Sequence, residues 1–252
     1  MDNPLNQAEF RFYEELNDFL APERRRVSFL HAFAGTPAVK DPIEALGVPH
    51  TEVDLVLVDG ESVPFSHRLR GGERVAVYPM FEAFDIGPVA RVRLRPLREP
   101  RFVLDVHLGR LAAYLRLLGF DTLYRNDYED AEIARIALRE HRIVLTRDIG
   151  LLKHNAVSHG AFLRETKPMR QVREVLDRFQ LDGLLHPFTR CSLCNGRVIL
   201  IDKAEIRDEV PVKVWDFCEE FSRCQSCHRL FWPGGQYLRM KQQFAGIGVA
   251  LP

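Results

Sequence analysis

The chain of 252 residues has no cysteine before position 191 and no long run of apolar residues. A secreted disulfide scaffold would distribute its cysteines and pair all of them, whereas this chain has five, clustered after residue 190. No segment approaches the length that crosses a bilayer, and the N-terminus lacks the basic and then apolar order of a signal peptide. We therefore expect a soluble, cytoplasmic protein with no membrane contact.

Charge of either sign is also not in excess, because the formal net charge is zero. Residues 1–100 contain 12 Lys/Arg and 16 Asp/Glu, which leaves 23 Lys/Arg and 19 Asp/Glu for residues 101–252. A nucleic-acid partner would therefore be better accommodated by the second part of the chain. With 46% hydrophobic and 28% charged residues, the composition is globular and sufficient for two or three compact cores.

The first segment, residues 1–82, has the pattern of a β-grasp domain. Strands are predicted at 10–16, 26–32, 52–58 and 74–78, with a helix at 43–46 for which Asp41 is the expected cap. The dipeptide Asp59-Gly60 is typical of a hairpin turn. Residues 83–100 follow as a linker with alternating arginines at 91, 93 and 95, which is either a basic strip for RNA phosphates or a solvated connection.

Residues 101–185 alternate strands with helices, which predicts an α/β domain with a mainly parallel sheet. Strands are expected at 101–106, 121–124 and 142–146, and helices at 108–118, 131–140 and 169–179, with Gly119 ending the first helix. Residues 186–252 form a third, short-stranded segment that contains all the cysteines. The fold class is therefore multidomain, combining α+β and α/β parts.

Two aspartates occupy equivalent positions in the second segment. Asp105 and Asp148 each follow an apolar strand, and the carboxyl ends of parallel strands meet at one edge of a sheet, where open α/β folds bind ligands. Asp130 begins a predicted helix, and Asp127 lies one turn earlier. Converging carboxylates are stabilised by Mg²⁺ or Mn²⁺, which can activate a water for attack on a phosphodiester. Alternatively, Asp127 or Asp130 caps the helix at 131–140, and Asp148 caps a helix through Leu151-Leu152.

Basic residues near these acids are candidates for contacting a phosphate. Arg110 and Arg147 are closest in sequence to the acids and are preferred over Arg116 and Lys153. The alternative for each of the four is a pairing with a surface carboxylate.

The cysteines form two Cys-x-x-Cys pairs, Cys191/Cys194 and Cys224/Cys227, separated by 29 residues. This spacing predicts a zinc ribbon, with strand-like arms at 197–201 and 210–214. Four thiolates leave no open position on the ion, so the zinc is expected to be structural. Nearby aromatic and basic residues suit single-stranded RNA: Arg223, Arg229, Phe231, Trp232 and Arg239. Alternatively, Phe231 and Trp232 form the small core of the ribbon.

The second and third segments resemble the Mut-seven C-terminal ribonuclease family, a PIN-like group. The resemblance rests on the run from Asp105 to Ala112, on 115–122, on Asp130-Ala-Glu-Ile-Ala134 and on Arg142-Ile-Val-Leu-Thr-Arg-Asp148, and it extends through the ribbon. It implies that Asp105, Asp130 and Asp148 bind the divalent metal. A further acidic ligand usual in larger PIN domains is missing here, and Asp127 is the candidate for it.

Residues 8–80 resemble the ubiquitin-like domain that is often fused to this nuclease. Its relatives among sulfur carriers use a free C-terminal Gly-Gly, whereas Gly71-Gly72 lies within the chain here. We therefore expect a surface for a protein partner rather than sulfur carriage. The complete hypothesis is a metal-dependent ribonuclease, expected to be endonucleolytic, with RNA as its partner. The alternative is a non-catalytic RNA-binding or ribosome-associated adaptor.

Overall fold

The computed structural model describes residues 5–79 and 100–252, which separate into two compact units. The first unit contains residues 1–99 and 134–162, and the second contains 100–133 and 163–252. The predicted linker, with its arginines at 91, 93 and 95, lies outside the described residues except for Pro100. Within the described part of the chain, no helix is both long and apolar enough to cross a membrane.

The N-terminal part of the first unit is a five-stranded sheet with the strand order β2-β1-β5-β3-β4. The central strands β1 and β5 are parallel, and the other pairs are antiparallel. This mixed sheet with one helix confirms the predicted β-grasp class. Its elements are β1 (Leu5–Phe12), β2 (Phe29–Ala34), α1 (Lys40–Ala45), β3 (Val53–Val58), β4 (Glu61–Ser62) and β5 (Arg74–Pro79).

The sequence of this module explains its sheet. Ala8, Phe10 and Phe12 alternate along β1 and are buried, as expected for a strand with one face on a core. Asp59 and Gly60 both have positive φ, 51° and 88°, which is the geometry of the tight hairpin turn that their sequence predicts.

Three boundaries in this module differ from the sequence-based expectation. The first strand ends at Phe12 rather than at 16, because the chain enters a 3-10 helix at Glu14–Phe19. The second strand begins at Phe29, after a turn in which Arg26 has a φ of 60°. Asp41 does not cap α1 from outside but lies within it, with its carboxylate accepting a hydrogen bond from the Ala38 N–H.

The α/β segment contributes a parallel strand pair to each unit. In the second unit, β6 (Arg101–Leu104) is parallel to β7 (Asp121–Leu123). In the first unit, β8 (Ile143–Thr146) is parallel to β9 (Gly160–Phe162), a strand that was not predicted. Parallel pairing confirms the α/β class. The helices are α2 (Gly109–Leu117), α3 (Asp130–Glu140), α4 (Ile149–Leu152) and α5 (Pro168–Arg178).

Helices α2 and α5 pack against each other in the second unit. The buried residues Val172, Val175 and Leu176 follow the i, i+3, i+4 spacing of one helical face, and Leu111 and Leu115 do the same on α2. Gly119 ends α2 as predicted, with a φ of 98°. A Cβ on Gly119 would lie 2.3 Å from the carbonyl oxygen of His186, so the next segment packs directly on this helix end.

The C-terminal part of the second unit is a ribbon, an antiparallel sheet with the order β10-β11-β12. The predicted strand at 210–214 is wrong, because helix α6 begins there at Val212, and the carbonyl of the preceding Pro211 accepts hydrogen bonds from the N–H groups of Val214 and Trp215. The second arm of the ribbon is β11 instead. The elements are β10 (Val198–Ile201), α6 (Val212–Phe217), β11 (Phe221–Cys224), β12 (Leu230–Phe231) and α7 (Gly235–Ala245).

Candidate active site and metal centre

The four predicted zinc ligands lie together in the second unit. The sulfur atoms of Cys191, Cys194, Cys224 and Cys227 are all within 4.8 Å of one another. The Sγ atoms of Cys191 and Cys227 are 3.7 Å apart, and those of Cys194 and Cys224 are 3.4 Å apart. A cluster of this size could bind a tetrahedral zinc ion.

The two cysteine knuckles have the same local conformation. Asn195 and His228 each follow the second cysteine of a pair, and both have a left-handed φ, 68° and 58°. Their N–H groups donate to the carbonyls of Cys191 and Cys224, which closes each turn at 3.0 Å. A Cβ on Gly196 would lie 2.9 Å from the Cys224 sulfur, so only glycine allows the first knuckle this close approach to the second. His228 therefore has a turn position rather than a ligand position.

The pKa values of the thiols show what a cation would have to overcome. Burial raises the pKa of Cys191, and burial together with the neighbouring thiols raises the pKa of Cys194 to about 12. Burial opposes ionisation of Cys224 too, but the amides of Cys227 and Ser226 outweigh it and lower the pKa of that thiol to about 7. Because a zinc ion binds thiolates and displaces their protons, this donor set fits a structural zinc.

The first knuckle is fixed to the α/β segment by two polar side chains. Arg116 on α2 is buried and donates hydrogen bonds to the carbonyls of Ser192, Leu193 and Thr122, at 3.2, 2.7 and 2.8 Å. Burial lowers the pKa of Arg116, whereas the neighbouring Cys191 and Cys194 oppose that shift. The guanidinium of Arg116, one of the candidate phosphate ligands, therefore connects the ribbon to α2.

Asn195 makes the second connection between the knuckle and the strands. Its side-chain oxygen accepts from the Thr122 N–H at 3.1 Å, and its amide donates to Asp121 at 2.8 Å. Asp121 also pairs with Arg190 at 3.3 Å. The first cysteine knuckle is therefore joined to β7 by hydrogen bonds of the Asn195 side chain.

Asp105 lies at the carboxyl end of β6, where the sequence predicts it. Its side chain is only 6% exposed, and its carbonyl accepts a hydrogen bond from the Leu108 N–H that starts the turn into α2. A nearly buried carboxylate at the end of a parallel strand is suited to hold a cation in a fixed position.

Asp130 and Asp127 lie further along the second unit. Asp130 is the first residue of α3 and is exposed. Asp127 is also exposed, and both of its oxygens accept hydrogen bonds from Arg125, at 2.9 and 2.7 Å. This guanidinium lowers the pKa of Asp127. A metal-ligand role for Asp127 would require it to leave Arg125, so an ion pair accounts for this residue equally well.

Asp148 belongs to the first unit and follows β8. One carboxylate oxygen caps α4 by accepting from the Gly150 N–H at 2.6 Å, and the Asp148 N–H donates to Thr146 Oγ1 at 2.8 Å. The capping alternative is therefore confirmed for one oxygen. Arg147 beside it is exposed, as is Arg110 on α2. The convergence of Asp105, Asp130 and Asp148 on one metal stays a prediction.

The β-grasp module of the first unit contacts the segment that follows Asp148, which the sequence did not predict. The buried carboxylate of Glu52 accepts a hydrogen bond from the Phe162 N–H at 2.6 Å. His50 lies between Glu44, at 2.7 Å, and the Val157 carbonyl, at 2.8 Å. Lys153 donates to the carbonyl of Glu44 at 2.7 Å. Lys153, another candidate phosphate ligand, is therefore engaged by this module.

Two family models match the chain. A family model described as Mut7-C RNAse domain matches residues 100–244, and one described as Mut7-C ubiquitin matches residues 5–85. No curated protein and no solved structure matches the chain. The first model covers more than half of the 252 residues and contains all the candidate acids and cysteines. The chain therefore belongs to the Mut7-C RNAse domain family and has a Mut7-C ubiquitin domain in front of that region.

Proposed function

We propose that this protein is a divalent-metal-dependent ribonuclease that hydrolyses RNA phosphodiesters endonucleolytically, with Asp105, Asp130 and Asp148 as the ligands of Mg²⁺ or Mn²⁺. The observation that carries the proposal is the match of an RNase family to residues 100–244, a range that includes all three aspartates. Two of them follow strands and the third begins a helix.

The bound ion would supply an activated water and neutralise the charge that develops on the phosphodiester. The residues of the chain hold and orient the reacting groups. Asp105 is nearly buried, so its position is restricted, and Asp148 is held by its hydrogen bond to the Gly150 amide. Arg110 and Arg147 are exposed and contact the phosphates of the substrate. Asp127 joins the ligands only if it leaves Arg125.

The flanking modules have non-catalytic roles in this proposal. The four cysteines hold a structural zinc, because four thiolates leave no position for a substrate. The ubiquitin-like module presents a surface to a protein partner. The site of action is the cytoplasm.

The test is cleavage of a labelled single-stranded RNA by the full chain with Mn²⁺. We expect the variants Asp105→Asn and Asp148→Asn to lose at least about a hundredfold in rate, since even groups that only support metal ligands contribute 10–100-fold. The matched control is Asp208→Asn, an exposed aspartate in the ribbon, which should cleave like the wild type. Equal cleavage by all four proteins would overturn the proposal and leave an RNA-binding adaptor as the better account.

A circular RNA separates the two modes of cleavage. An endonuclease opens the circle, whereas an exonuclease requires an end and leaves it intact. Degradation of the linear RNA alone would contradict the endonucleolytic part of the proposal.

A further inference from the structure

The second unit contains an open groove of about 640 Å³ that involves neither the cysteine cluster nor the candidate acids. Helix α2 contributes one part of its lining, the ribbon sheet another, and α7 a third. The volume is within the range of sites that bind small organic groups. The lining residues that matter for the argument are Tyr114, Phe188, Phe231, Trp232, Tyr237 and Arg239.

Five aromatic residues line this groove, although they come from separate parts of the chain. Trp232 is 36% exposed. The rings of Phe188 and Tyr237 contact each other with centroids 5.2 Å apart and an angle of 43° between their planes. The hydroxyl of Tyr237 already donates to the carbonyl of Pro252, and Lys241 Nζ lies 5.4 Å from the centre of its ring, so Trp232 is the more accessible ring. Such surfaces favour a flat, unsaturated ligand.

Phe188 has a backbone conformation that favours glycine. Its φ is 63°, in the left-handed region, and its N–H donates to the carbonyl of Leu117 at 2.8 Å. A bulky residue is rarely found in this region, and such outliers concentrate at binding sites. The fold therefore keeps an aromatic ring at the groove where a glycine would be less strained.

The charge near the groove suits a polyanion. The groove lining contains the arginines Arg190 and Arg239, and Lys241 of α7 lies beside it, 5.4 Å from the centre of the Tyr237 ring. Arg239 is exposed, and within the described part of the chain its guanidinium is engaged only through Nε, which donates to the Gly235 carbonyl at 3.3 Å. Its other nitrogens are available to a phosphate. Glu220 at the groove is the one acidic side chain in its lining.

We propose that this groove is a base-binding subsite for single-stranded RNA. An unpaired base stacks on Trp232 while Arg239 contacts a neighbouring phosphate, which is the combination that sequence-tolerant RNA sites use. The inference rests on the proposed ribonuclease function and names where its substrate is held.

The position of Tyr114 supports this connection. Tyr114 lies on α2, the helix that follows Asp105, only about 8 Å along the helix axis from its first residue, Gly109. A short single-stranded segment would therefore connect RNA bound in the groove to Asp105. The subsite would fix the strand and let the adjacent phosphodiester reach the acids.

The test measures binding separately from cleavage. The full chain carrying Asp148→Asn is titrated into a short fluorescein-labelled single-stranded RNA without divalent metal, and anisotropy gives the dissociation constant. We expect Trp232→Ala to weaken binding about tenfold, since stacking on one ring contributes about that much. Phe188→Gly should also weaken binding, although glycine suits the backbone there. Trp232→Phe should restore most of the affinity because it keeps a ring.

The matched control is Leu238→Ala, which removes an apolar side chain of α7 that is 60% exposed and does not line the groove. Its affinity should equal that of the parent protein. Arg239→Ala should reduce the salt dependence of binding, whereas Trp232→Ala should not.

Equal affinity of Trp232→Ala and its parent, or an equal loss of affinity in Leu238→Ala, would overturn the subsite. Binding of an apolar peptide in the groove that added RNA does not displace would overturn it as well. Two results separate the two proposals. If the wild type cleaves RNA but the groove variants bind RNA as tightly as their parent, only the subsite proposal is overturned. If RNA binding depends on the aromatic rings but no divalent metal supports cleavage, only the ribonuclease proposal is overturned.

Discussion

The two flanking modules are attached to the α/β segment by the same kind of contact but are stabilised in different ways. In the second unit, the Arg116 side chain binds carbonyls of the first cysteine knuckle. In the first unit, the Glu52 side chain binds the Phe162 N–H. In both units a side chain of one part satisfies main-chain groups of the other, and a buried polar group without a partner is costly.

The cores of the two modules are very different in size. The β-grasp module buries a large cluster that includes Phe10, Phe12, Leu16 and Leu20. The ribbon's own cluster has three buried residues, Ile206, Val210 and Phe221, with five partly buried hydrophobic residues packed against them. Because so small a core offsets little of the conformational entropy of the ribbon, we expect the ribbon to depend on an ion bound by the four cysteines. The β-grasp module is therefore stabilised by its packed core, whereas the ribbon is expected to depend on a metal.

The largest effect is therefore expected from loss of the metal. The variant Cys224→Ser should purify with much less than one zinc per chain, and its ribbon should be unfolded, because structural zinc contributes on the order of 10 kcal/mol to the folding of small domains. Limited proteolysis should cut within residues 186–252 while the β-grasp module stays intact.

The control for this variant is Cys218→Ser, which changes a cysteine outside the cluster and should retain zinc and protease resistance. If the ribbon of Cys224→Ser were as resistant as the wild type, its three buried residues would suffice and the contrast between the modules would fail.

The sequence predicts well those features that depend on the spacing of residues along the chain. The two Cys-x-x-Cys pairs predict the cluster, and Asp59-Gly60 and Gly119 predict a turn and a helix end, because each depends on residues close in the chain. Asp105 and Asp148 were placed at strand ends for the same reason, since apolar runs precede both.

What the sequence does not predict depends on residues far apart. The bond between Glu52 and Phe162 spans 110 positions, and nothing near Glu52 distinguishes it from a solvated acid. The short strand β9 was missed because three residues carry no detectable alternation. The groove brings together Tyr114, Phe188 and Tyr237, whose proximity exists only after the ribbon has packed on α2.

A smaller effect is expected at the attachment of the β-grasp module. Glu52→Ala removes the acceptor of the Phe162 N–H in a fully buried position, so the free energy of unfolding should fall by about 2–3 kcal/mol. Thermal unfolding should then occur roughly 5–10 °C lower. Glu52→Gln keeps an acceptor oxygen and should lose less.

The matched control for this prediction is Glu61→Ala, which removes an exposed carboxylate in the β3–β4 hairpin of the same module. A melting temperature of Glu52→Ala equal to that of Glu61→Ala would show that the module contributes nothing through this contact. The two modules would then differ in attachment as well as in core.

The smallest effect concerns the acid stability of the same attachment. Burial alone raises the pKa of Glu44, but the hydrogen bond and charge of His50, with the charge of Lys40, lower it below its ordinary value of 4.5. A carboxyl whose pKa is lower in the folded state stabilises the fold above its unfolded pKa, and this contribution is lost as the pH falls through the folded value. Glu44→Gln should therefore lose stability at neutral pH but little in acid.

The contribution of Glu44 should be below about 1 kcal/mol, because the carboxylate is partly exposed and screened by solvent. Urea midpoints measured from about pH 3 to pH 6 should converge for Glu44→Gln and the wild type at the acid end. A constant difference across this range would show that the substitution acts through packing rather than through charge. The attachment of the β-grasp module would then depend on packing, as its core does, and not on the charge of Glu44.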